Sequence, residues 1–539
     1  MLKSSIMVTF AAAALVAPAL AQTAPLAPVE QTSLGRDAFA TGLLGRDAGA
    51  LGPDLWRGAD GRVLASLLAS APTRPASPSI GVAARRVLLS AGDPPQGADA
   101  ALGGAKLAAL VRLGFIDEAR EIESLAIGGK SDAGLLEALA TADLLSGDND
   151  AACARVRQIQ APRDNPYGAK LRGFCYAIAG ELDAADLALG LLRERGGLTP
   201  ADEAILLPMA AGGKPKPQSE PVDAVQYAAL RHAGMAFSLS PDAEAGLLKA
   251  VAADANAPWP QRLSAAKRAA AMGVMSAAQL KTLFAAAPLD VATVAGGEAA
   301  FRQSPDDQTA LAAAYQQAKT KTAPEFARDR AGLVAGVIGA ARDFETLFAA
   351  SALFAEDIRG FDGLLVSHGE AEAFALARLS LGDVTGAENW LAAGAAGGAG
   401  APSDIPALVA AAKSGARPAE RRGEASALPG LVTIVDAAIE AAAERIAGQG
   451  GLVALAASGA AADGDPLAAV ILARGLETAG LGDLARRRAA EQLLQDRYQR
   501  LQPARPESAA ASAPTLPAAA PAAGGAKKPT PRVKPAPSR

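Results

Sequence analysis

The chain has 539 residues, of which half are apolar and only 4% are aromatic, and its net charge is −4. This length suffices for several domains or for one long helical array, and the small net charge gives no basis for nucleic-acid binding. Apolar runs with period-two alternation are scarce, which disfavours sheets. Because much of the apolar content is alanine, the best helix former, the composition predicts an all-α fold.

Residues 1–21 have the features of a secretory signal peptide. Lys3 precedes an apolar segment, and Ala19-Leu20-Ala21 supplies a small-x-small cleavage motif. The apolar segment is shorter than the roughly 20 residues of a membrane-spanning helix. A cleaved signal is therefore favoured over a membrane anchor, and the mature chain is expected in a bacterial periplasm without a transmembrane segment.

Residues 22–54 are rich in Pro, Gly, Ala and Thr, and we expect them to form a flexible lead-in. Helices are expected to begin near Leu55-Trp56, to continue through Arg62–Ser70 and to resume at Ile80–Leu89. The bulky residues Trp56, Leu64, Leu67 and Leu68 would cover the open end of a helical array. Together with the repeats that follow, these cap helices make up a predicted N-terminal region of residues 55–199.

A short phrase recurs three times, at a constant spacing of 33 residues, within residues 107–195. Each copy has a glycine followed by an aspartate three positions later, and the pairs are Gly114 and Asp117, Gly147 and Asp150, and Gly180 and Asp183. Glycine ends a helix readily because it adopts a positive φ, and the aspartate is expected to cap the next helix. A constant period of this length indicates stacked helical hairpins.

The phrase resembles the tetratricopeptide (TPR) repeat, whose first helix carries a small residue seven positions before the turn glycine and a large residue three positions after the small one. Gly173 and Tyr176 occupy these positions before Gly180. The earlier copies depart from the pattern, with Asp143 in the large position and Leu107 in the small position. The resemblance implies a TPR-like α-solenoid of stacked antiparallel helix pairs with disordered termini.

Beyond residue 200 the phrase recurs without a fixed period, so residues 200–400 are expected to hold degenerate helical repeats. Residues 401–501 are expected to combine an irregular segment with a C-terminal helical block. From residue 502 the chain is rich in Pro and Ala, with six basic residues against one acidic residue. This 502–539 tail is expected to be disordered, and it either keeps the protein soluble or binds an anionic envelope polymer.

Cys153 and Cys175 are the only cysteines of the sequence. In the hairpin interpretation they lie on neighbouring helices, at similar distances from the bend near Pro162–Pro166, and hence at similar heights. Two cysteines placed in this way in an exported chain predict a disulfide bond, and two buried thiols are the alternative. Redox catalysis is disfavoured because no Cys-x-x-Cys pair is present.

Sequence motifs for catalysis, metal ions or cofactors are absent. No Gly-x-Ser-x-Gly elbow, Walker phosphate loop or cluster of metal ligands occurs. His232 and His368 are far apart, and each is expected to be structural. The pairs Asp306-Asp307 and Glu356-Asp357 are expected to be helix caps or solvated residues. We therefore expect a protein that is not an enzyme and holds no cofactor or metal.

The sequence favours a non-enzymatic periplasmic scaffold for an unknown protein or peptide partner in the cell envelope, and no nucleic acid is expected as a partner. TPR repeats bind partners through their first helices, which makes Lys170, Arg172 and Tyr176 the candidate partner-binding residues. Two alternatives remain open: a subunit of an enzyme of the envelope or of peptidoglycan, and a structural protein tethered by its basic tail. The segments 55–89 and 165–195 are also similar to uncharacterised exported proteins of alpha-proteobacterial type, which implies a compartment and no activity.

Overall fold

The structure, a computed structural model, describes residues 37–126, 132–159, 165–216, 219–396, 403–414 and 430–501. Within these ranges the chain forms α-helices, two short 3-10 helices and no β-strand, so the predicted all-α class is confirmed. The predicted signal peptide, the predicted disorder of the termini and the basic tail concern residues outside those that the structure describes. In the part of the chain that is described, no helix has the length and apolarity needed to cross a membrane.

The described residues contain 26 α-helices, which in chain order are α1 Gly61–Ser70, α2 Pro78–Leu89, α3 Ala100–Arg112, α4 Ile116–Leu125, α5 Ala133–Ser146, α6 Asn149–Gln158, α7 Pro166–Ala179, α8 Leu182–Glu194, α9 Pro200–Ala210, α10 Ala224–His232, α11 Ala245–Ala253, α12 Trp259–Ala271, α13 Ala277–Ala285, α14 Val291–Ala295, α15 Gly297–Gln303, α16 Gln308–Lys319, α17 Ala327–Ala340, α18 Phe344–Leu353, α19 Ala355–Gly360, α20 His368–Ser380, α21 Val384–Ala396, α22 Ile405–Ser414, α23 Leu431–Glu444, α24 Ala447–Ala462, α25 Pro466–Thr478 and α26 Gly482–Leu501.

The helices form two compact units, each of which joins segments that are distant in sequence. Unit 1 joins the described residues up to Ser276 with those of 420–485, and unit 2 joins those of 277–419 with those from Arg486 onward. In unit 1, α24 packs on α1 and α2, where a Cβ on Gly451 would lie 2.5 Å from Val87. The predicted C-terminal block of residues 401–501 is thus divided, because contacts between residues distant in sequence leave no repeat pattern.

The three turn glycines of the 33-residue phrase all lie in the left-handed region. Gly114, Gly147 and Gly180 have φ values of 84°, 94° and 79°. In each turn the residue after the glycine donates its N–H to the carbonyl five positions earlier, as in the bond of 2.8 Å from Phe115 to Leu110. These hydrogen bonds satisfy carbonyl groups that have no partner at the end of a helix. The glycine of the phrase therefore terminates α3, α5 and α7.

The aspartates of the phrase are not the helix caps that the sequence predicted. The N-cap residues of α4, α6 and α8 are instead Phe115, Asp148 and Glu181. Because each helix starts two residues after the glycine, Asp117, Asp150 and Asp183 are its second helical residues. There the carboxylate interacts with the positive end of the helix dipole without bonding as a cap.

A hydrophobic core runs through the predicted repeat region of unit 1. It includes Leu144 of α5, Val156 of α6, Leu171 and Phe174 of α7, and Leu189 of α8, all buried. The core continues into α9 and α10. Consecutive helices from α5 to α10 share this core, and α10 also packs on α5, which lies far from it in the sequence.

The lead-in is packed where the structure describes it, and from residue 37 onward the prediction of a loose segment is wrong. The ring of Phe39 is fully buried and lies 4.9 Å from that of Trp56. Lys106 of α3 is fully buried, and its Nζ donates hydrogen bonds of 2.7 Å to the Phe39 carbonyl and 2.6 Å to the Thr41 carbonyl. The segment is therefore fixed by one aromatic ring and one buried amine.

Because Lys106 is buried, we expect the unfolding free energy of the protein to increase at alkaline pH. Burial lowers the pKa of Lys106 to about 7, although the charge of Asp37 acts in the opposite direction. Above that pKa the native side chain is neutral, while the unfolded chain still binds a proton up to about pH 10.4. The unfolding free energy contributed by Lys106 should therefore increase from about pH 7 to pH 10. Urea unfolding at several pH values would show this rise in the wild type and not in Lys106→Met, and identical pH profiles would contradict it.

In unit 2 three helices lie side by side. The helix α17 contacts α15 and α20, while α15 packs on α16 and α20 packs on α21. The inward face of α17 buries Leu333, Val334, Val337 and Ile338. Its opposite face carries glycine and alanine, and this face forms the candidate site.

Candidate binding groove

A groove with a volume of about 670 Å³ runs along the outward face of α17. Its floor consists of Gly332, Ala335, Gly336, Gly339 and Ala340. Its rim is formed by polar residues of the neighbouring helices and turns: Arg302, Arg342, Ser367 and Glu370. We call this feature the α17 groove. Small floor residues leave the backbone of α17 open to close approach by a ligand.

The glycines of the floor make the groove possible at a cost to the helix. A Cβ on Gly336 would lie 2.6 Å from Oε1 of Glu298, so a side chain there would displace that carboxylate. A Cβ on Gly339 would meet nothing within 4 Å, because that position faces open space. Each glycine inside a helix costs about 1 kcal/mol relative to alanine. Three glycines on one face of this 14-residue helix therefore indicate that their positions are kept small for a reason other than helix stability.

Ion pairs order the two sides of the groove. On the α15 side, Arg302 lies 3.3 Å from Oε1 of Glu298, and the Glu298 N–H donates a hydrogen bond of 2.8 Å to Gln317. On the α20 side, Arg328 lies 2.7 Å from Oε2 of Glu370. The acidic groups of both sides are therefore already neutralised by arginines of unit 2.

Glu370 is held ionised at the start of α20. It completes a capping box with Ser367, whose N–H and hydroxyl donate hydrogen bonds of 2.7 Å and 2.8 Å to its Oε2. Burial alone would raise the pKa of Glu370, but the hydrogen bonds from Arg328 and Ser367 outweigh it, and the pKa lies below the usual range. The carboxylate is a fixed structural anion rather than a proton donor at neutral pH.

Arg342 is the cation that the groove leaves available. It is exposed at the end of α17, and within the described part of the chain no hydrogen bond or ion pair joins it to another residue. A guanidinium offers five N–H donors and no acceptor. The α17 groove thus combines an uncharged floor with a donor at its rim, an arrangement that suits the main-chain carbonyls of a bound polypeptide.

The predicted partner-binding residues lie in unit 1, outside this groove. Lys170 is buried, and its Nζ lies 2.7 Å from Asp202 and 2.7 Å from Asp223. Burial would lower the pKa of Lys170, but the two carboxylates outweigh it and raise the pKa. Lys170 therefore belongs to a buried ionic network and does not lie on the surface where a partner would bind, because its side chain turns inward from α7.

Arg172 and Tyr176 remain partly accessible. Both are half-buried on α7, and Tyr176 packs against the hydrophobic core of the repeats. A Cβ on the neighbouring Gly173 would lie 2.6 Å from Leu189 of α8, so the small residue of the TPR-like pattern permits the close packing of these two helices. The role of Arg172 and Tyr176 in binding stays a prediction.

The two cysteines meet as the sequence predicted. The sulfur atoms of Cys153, on α6, and Cys175, on α7, are 2.01 Å apart, and their Cα atoms are 5.5 Å apart. The bond joins consecutive helix pairs inside the core of unit 1. It therefore links α6 covalently to α7, which gives the two cysteines a structural role.

The histidines and one carboxylate pair occupy helix ends. His232 is the last residue of α10, and His368 is the first of α20, where its Nε2 lies 3.3 Å from Glu372. Asp307 is the N-cap of α16, as expected, and accepts a hydrogen bond of 2.8 Å from Thr309. Among the described residues no group of His, Cys, Asp or Glu is placed to hold a metal ion.

The second carboxylate pair only partly follows its prediction. Glu356 is exposed and lies 2.9 Å from Lys281. Asp357 is neither a cap nor solvated, because it is buried and lies 3.2 Å from Lys319 and 3.6 Å from Arg330. It is the anion of an internal ion-pair cluster in unit 2.

Comparison of the chain with protein-family models, with curated proteins and with solved structures finds no match. The only support for the candidate site is therefore the geometry of the α17 groove. Sequence reasoning missed the α17 groove, although one signal was present: Gly332, Gly336 and Gly339 repeat at spacings of four and three, which places them on one face of a helix.

Proposed function

We propose that the protein is a non-enzymatic interaction scaffold of the periplasm, built on TPR-like helical repeats, and that its α17 groove binds a peptide segment of a partner protein. The observation that carries the proposal is the composition of the groove. A floor of small residues exposes the backbone of α17, and the guanidinium of Arg342 stands at one end without a partner among the described residues. Such a surface favours main-chain contacts over the chemistry of a small substrate.

Three features support the repeat interpretation. The helix α17 contacts α15 and α20, an order of contacts that a stack of hairpins would produce, and TPR proteins bind partners on the surface formed by their first helices. The turn glycines recur at a constant spacing in unit 1. Gly173 fills the small position that a TPR-like helix pair needs. The disulfide favours an oxidising compartment such as the periplasm.

A matched pair of substitutions tests the binding role of the groove. Gly339 and Gly360 both face open space, with nothing within 4 Å of an added Cβ, but only Gly339 belongs to the groove. Peptides selected from a random library on the purified protein should bind Gly339→Trp at least tenfold more weakly than the wild type, because the indole fills the groove. Gly360→Trp should leave the dissociation constants unchanged. The measurement is isothermal titration calorimetry.

Equal binding of the selected peptides to the wild type and to Gly339→Trp would contradict the proposal. The far-UV circular dichroism of both variants should match the wild type, and neither variant should melt below it, since an added Cβ meets nothing within 4 Å at either position. A protein that selects no peptide at all would also overturn the binding role. Running the selection on the chain that ends at Leu501 as well keeps this result independent of the C-terminal tail.

A further inference from the structure

The last helix ends beside the α17 groove. Tyr498 of α26 is buried in unit 2, and the neighbouring Arg497 lies 3.0 Å from Asp404. Ser403, which precedes Asp404, donates its hydroxyl to Glu372 of α20. Ser367 and Glu370 of the groove rim lie at the start of the same helix. The chain therefore leaves its last described residue, Leu501, near one end of the groove.

The sequence beyond Leu501 contains one short segment with the composition of a peptide ligand, an apolar residue flanked by prolines. Residues 502–539 hold only two large apolar side chains, Leu516 and Val533. Leu516 lies within the sequence Pro514-Thr515-Leu516-Pro517, in which the two prolines are three residues apart. A polyproline II helix has three residues per turn, so both prolines would lie on the same edge. This segment carries no charge, unlike the basic end of the tail.

The segment matches the groove in length and in hydrogen bonding. From Gly332 to Ala340 the floor extends about 12 Å along α17, and about four residues of polyproline II, at roughly 3.1 Å each, cover that distance. Proline lacks an N–H, so a proline-rich segment offers mainly carbonyl acceptors. Arg342, which has no partner among the described residues, is a donor of the kind that these carbonyls require.

We propose that residues 514–517 dock in the α17 groove of their own chain, as an internal occupant that a partner peptide must displace. This inference rests on the proposed binding role of the groove and adds its regulation. The 12 residues between Leu501 and Pro514 can span up to about 40 Å, which is ample for a groove whose rim includes Glu370 at the start of α20. A tether of this length supplies an effective concentration of roughly 1 mM, so even a dissociation constant of about 100 μM fills the groove.

A cysteine placed in the groove reports its occupancy. Cys153 and Cys175 are joined in a disulfide, so Gly339→Cys provides the reactive thiol. Its alkylation should be about tenfold slower in the full chain than in the chain ending at Leu501, from the occupancy estimated above. Gly360→Cys, outside the groove, should be alkylated at the same rate in both. Equal rates for Gly339→Cys in the two chains, or slower alkylation in the shorter one, would overturn the proposal.

A full-length variant and two synthetic peptides control for the possibility that the chain ending at Leu501 is misfolded. Leu516→Asp in the full-length Gly339→Cys protein should raise the alkylation rate to that of the shortened chain, because a charge would be buried on the groove floor. A synthetic peptide of residues 508–522, added at 1 mM to the shortened chain, should slow alkylation, whereas a peptide of residues 526–539 should not. Protection by the 526–539 peptide alone would assign the effect to basic charge and would refute docking of residues 514–517.

Different results would contradict the binding of partner peptides and the docking of residues 514–517. Foreign peptides that bind the groove while the tail gives no protection would leave the scaffold proposal intact and remove its internal occupant. Protection by the tail would still count when no foreign peptide has been found, because alkylation of Gly339→Cys needs no partner.

Discussion

Replacing Lys170 with methionine is expected to lower the unfolding free energy of unit 1 by about 3–5 kcal/mol, the usual cost of removing one partner from a buried ion pair. The Nζ of Lys170 lies 2.7 Å from both Asp202 and Asp223, and Asp202 is completely buried. Methionine fills a similar volume but leaves two carboxylates without their cation. Urea unfolding at pH 7, followed by circular dichroism, measures the difference.

Two companion variants make this result specific. Arg172→Met changes a half-buried arginine on the same helix and should alter stability by no more than about 0.5 kcal/mol. Adding Asp223→Asn to Lys170→Met should recover part of the loss, since one unpaired charge disappears. A Lys170→Met protein as stable as Arg172→Met would show that the buried network contributes nothing.

Acid should reduce the difference between Lys170→Met and the wild type. Burial alone would raise the pKa of Asp202, but hydrogen bonds from Gln226 and Lys170 lower it below its usual value. A carboxylate with a lowered folded-state pKa contributes stability above about pH 3.9, and this contribution disappears as the pH falls through the folded value. The gap between the wild type and Lys170→Met should therefore be largest near neutral pH and smallest at the acidic end.

Removing the disulfide is expected to have the next largest effect. Cys153 and Cys175 are separated by 22 positions, and closing a loop of that size stabilises a protein by about 3 kcal/mol in the chain-entropy model. The double variant Cys153→Ala, Cys175→Ala should therefore unfold at a lower urea concentration than the oxidised wild type. Alanine also removes two buried sulfur atoms, so the change should not fall short of the entropic value.

The reduced wild-type protein provides the control for this prediction. Dithiothreitol should shift the urea transition of the wild type toward that of the double variant and leave the variant itself unchanged. Identical transitions of the oxidised protein, the reduced protein and the double variant would mean that the bond between α6 and α7 adds nothing to stability.

Local features of this chain are readable from the sequence because they depend on neighbouring residues. The helix expected to begin near Leu55-Trp56 and to continue through Arg62–Ser70 spans only Gly61–Ser70, with turns before it, and the helix expected over Ile80–Leu89 spans Pro78–Leu89. Gly180 ends α7 in the left-handed conformation, with a φ of 79°. This conformation depends on the glycine and its immediate neighbours, so the sequence alone predicts it. The pairing of the two cysteines also follows from the length of one hairpin.

Features that depend on distant residues escaped prediction. Packing of Phe39 against Trp56 involves a segment whose composition resembles a loose linker. The inward turn of Lys170 depends on Asp202 and Asp223, which lie more than 30 residues further along the chain. The α17 groove needs three helices side by side, and periodicity does not report which faces meet.

The most direct test of the central claim is the ratio of peptide dissociation constants between Gly339→Trp and Gly360→Trp. Both positions are open, so both proteins should fold alike and differ only in whether the α17 groove is filled. The account predicts a ratio of at least ten for peptides selected on the wild type. A ratio near one, with both variants folded, would show that partners do not bind in this groove.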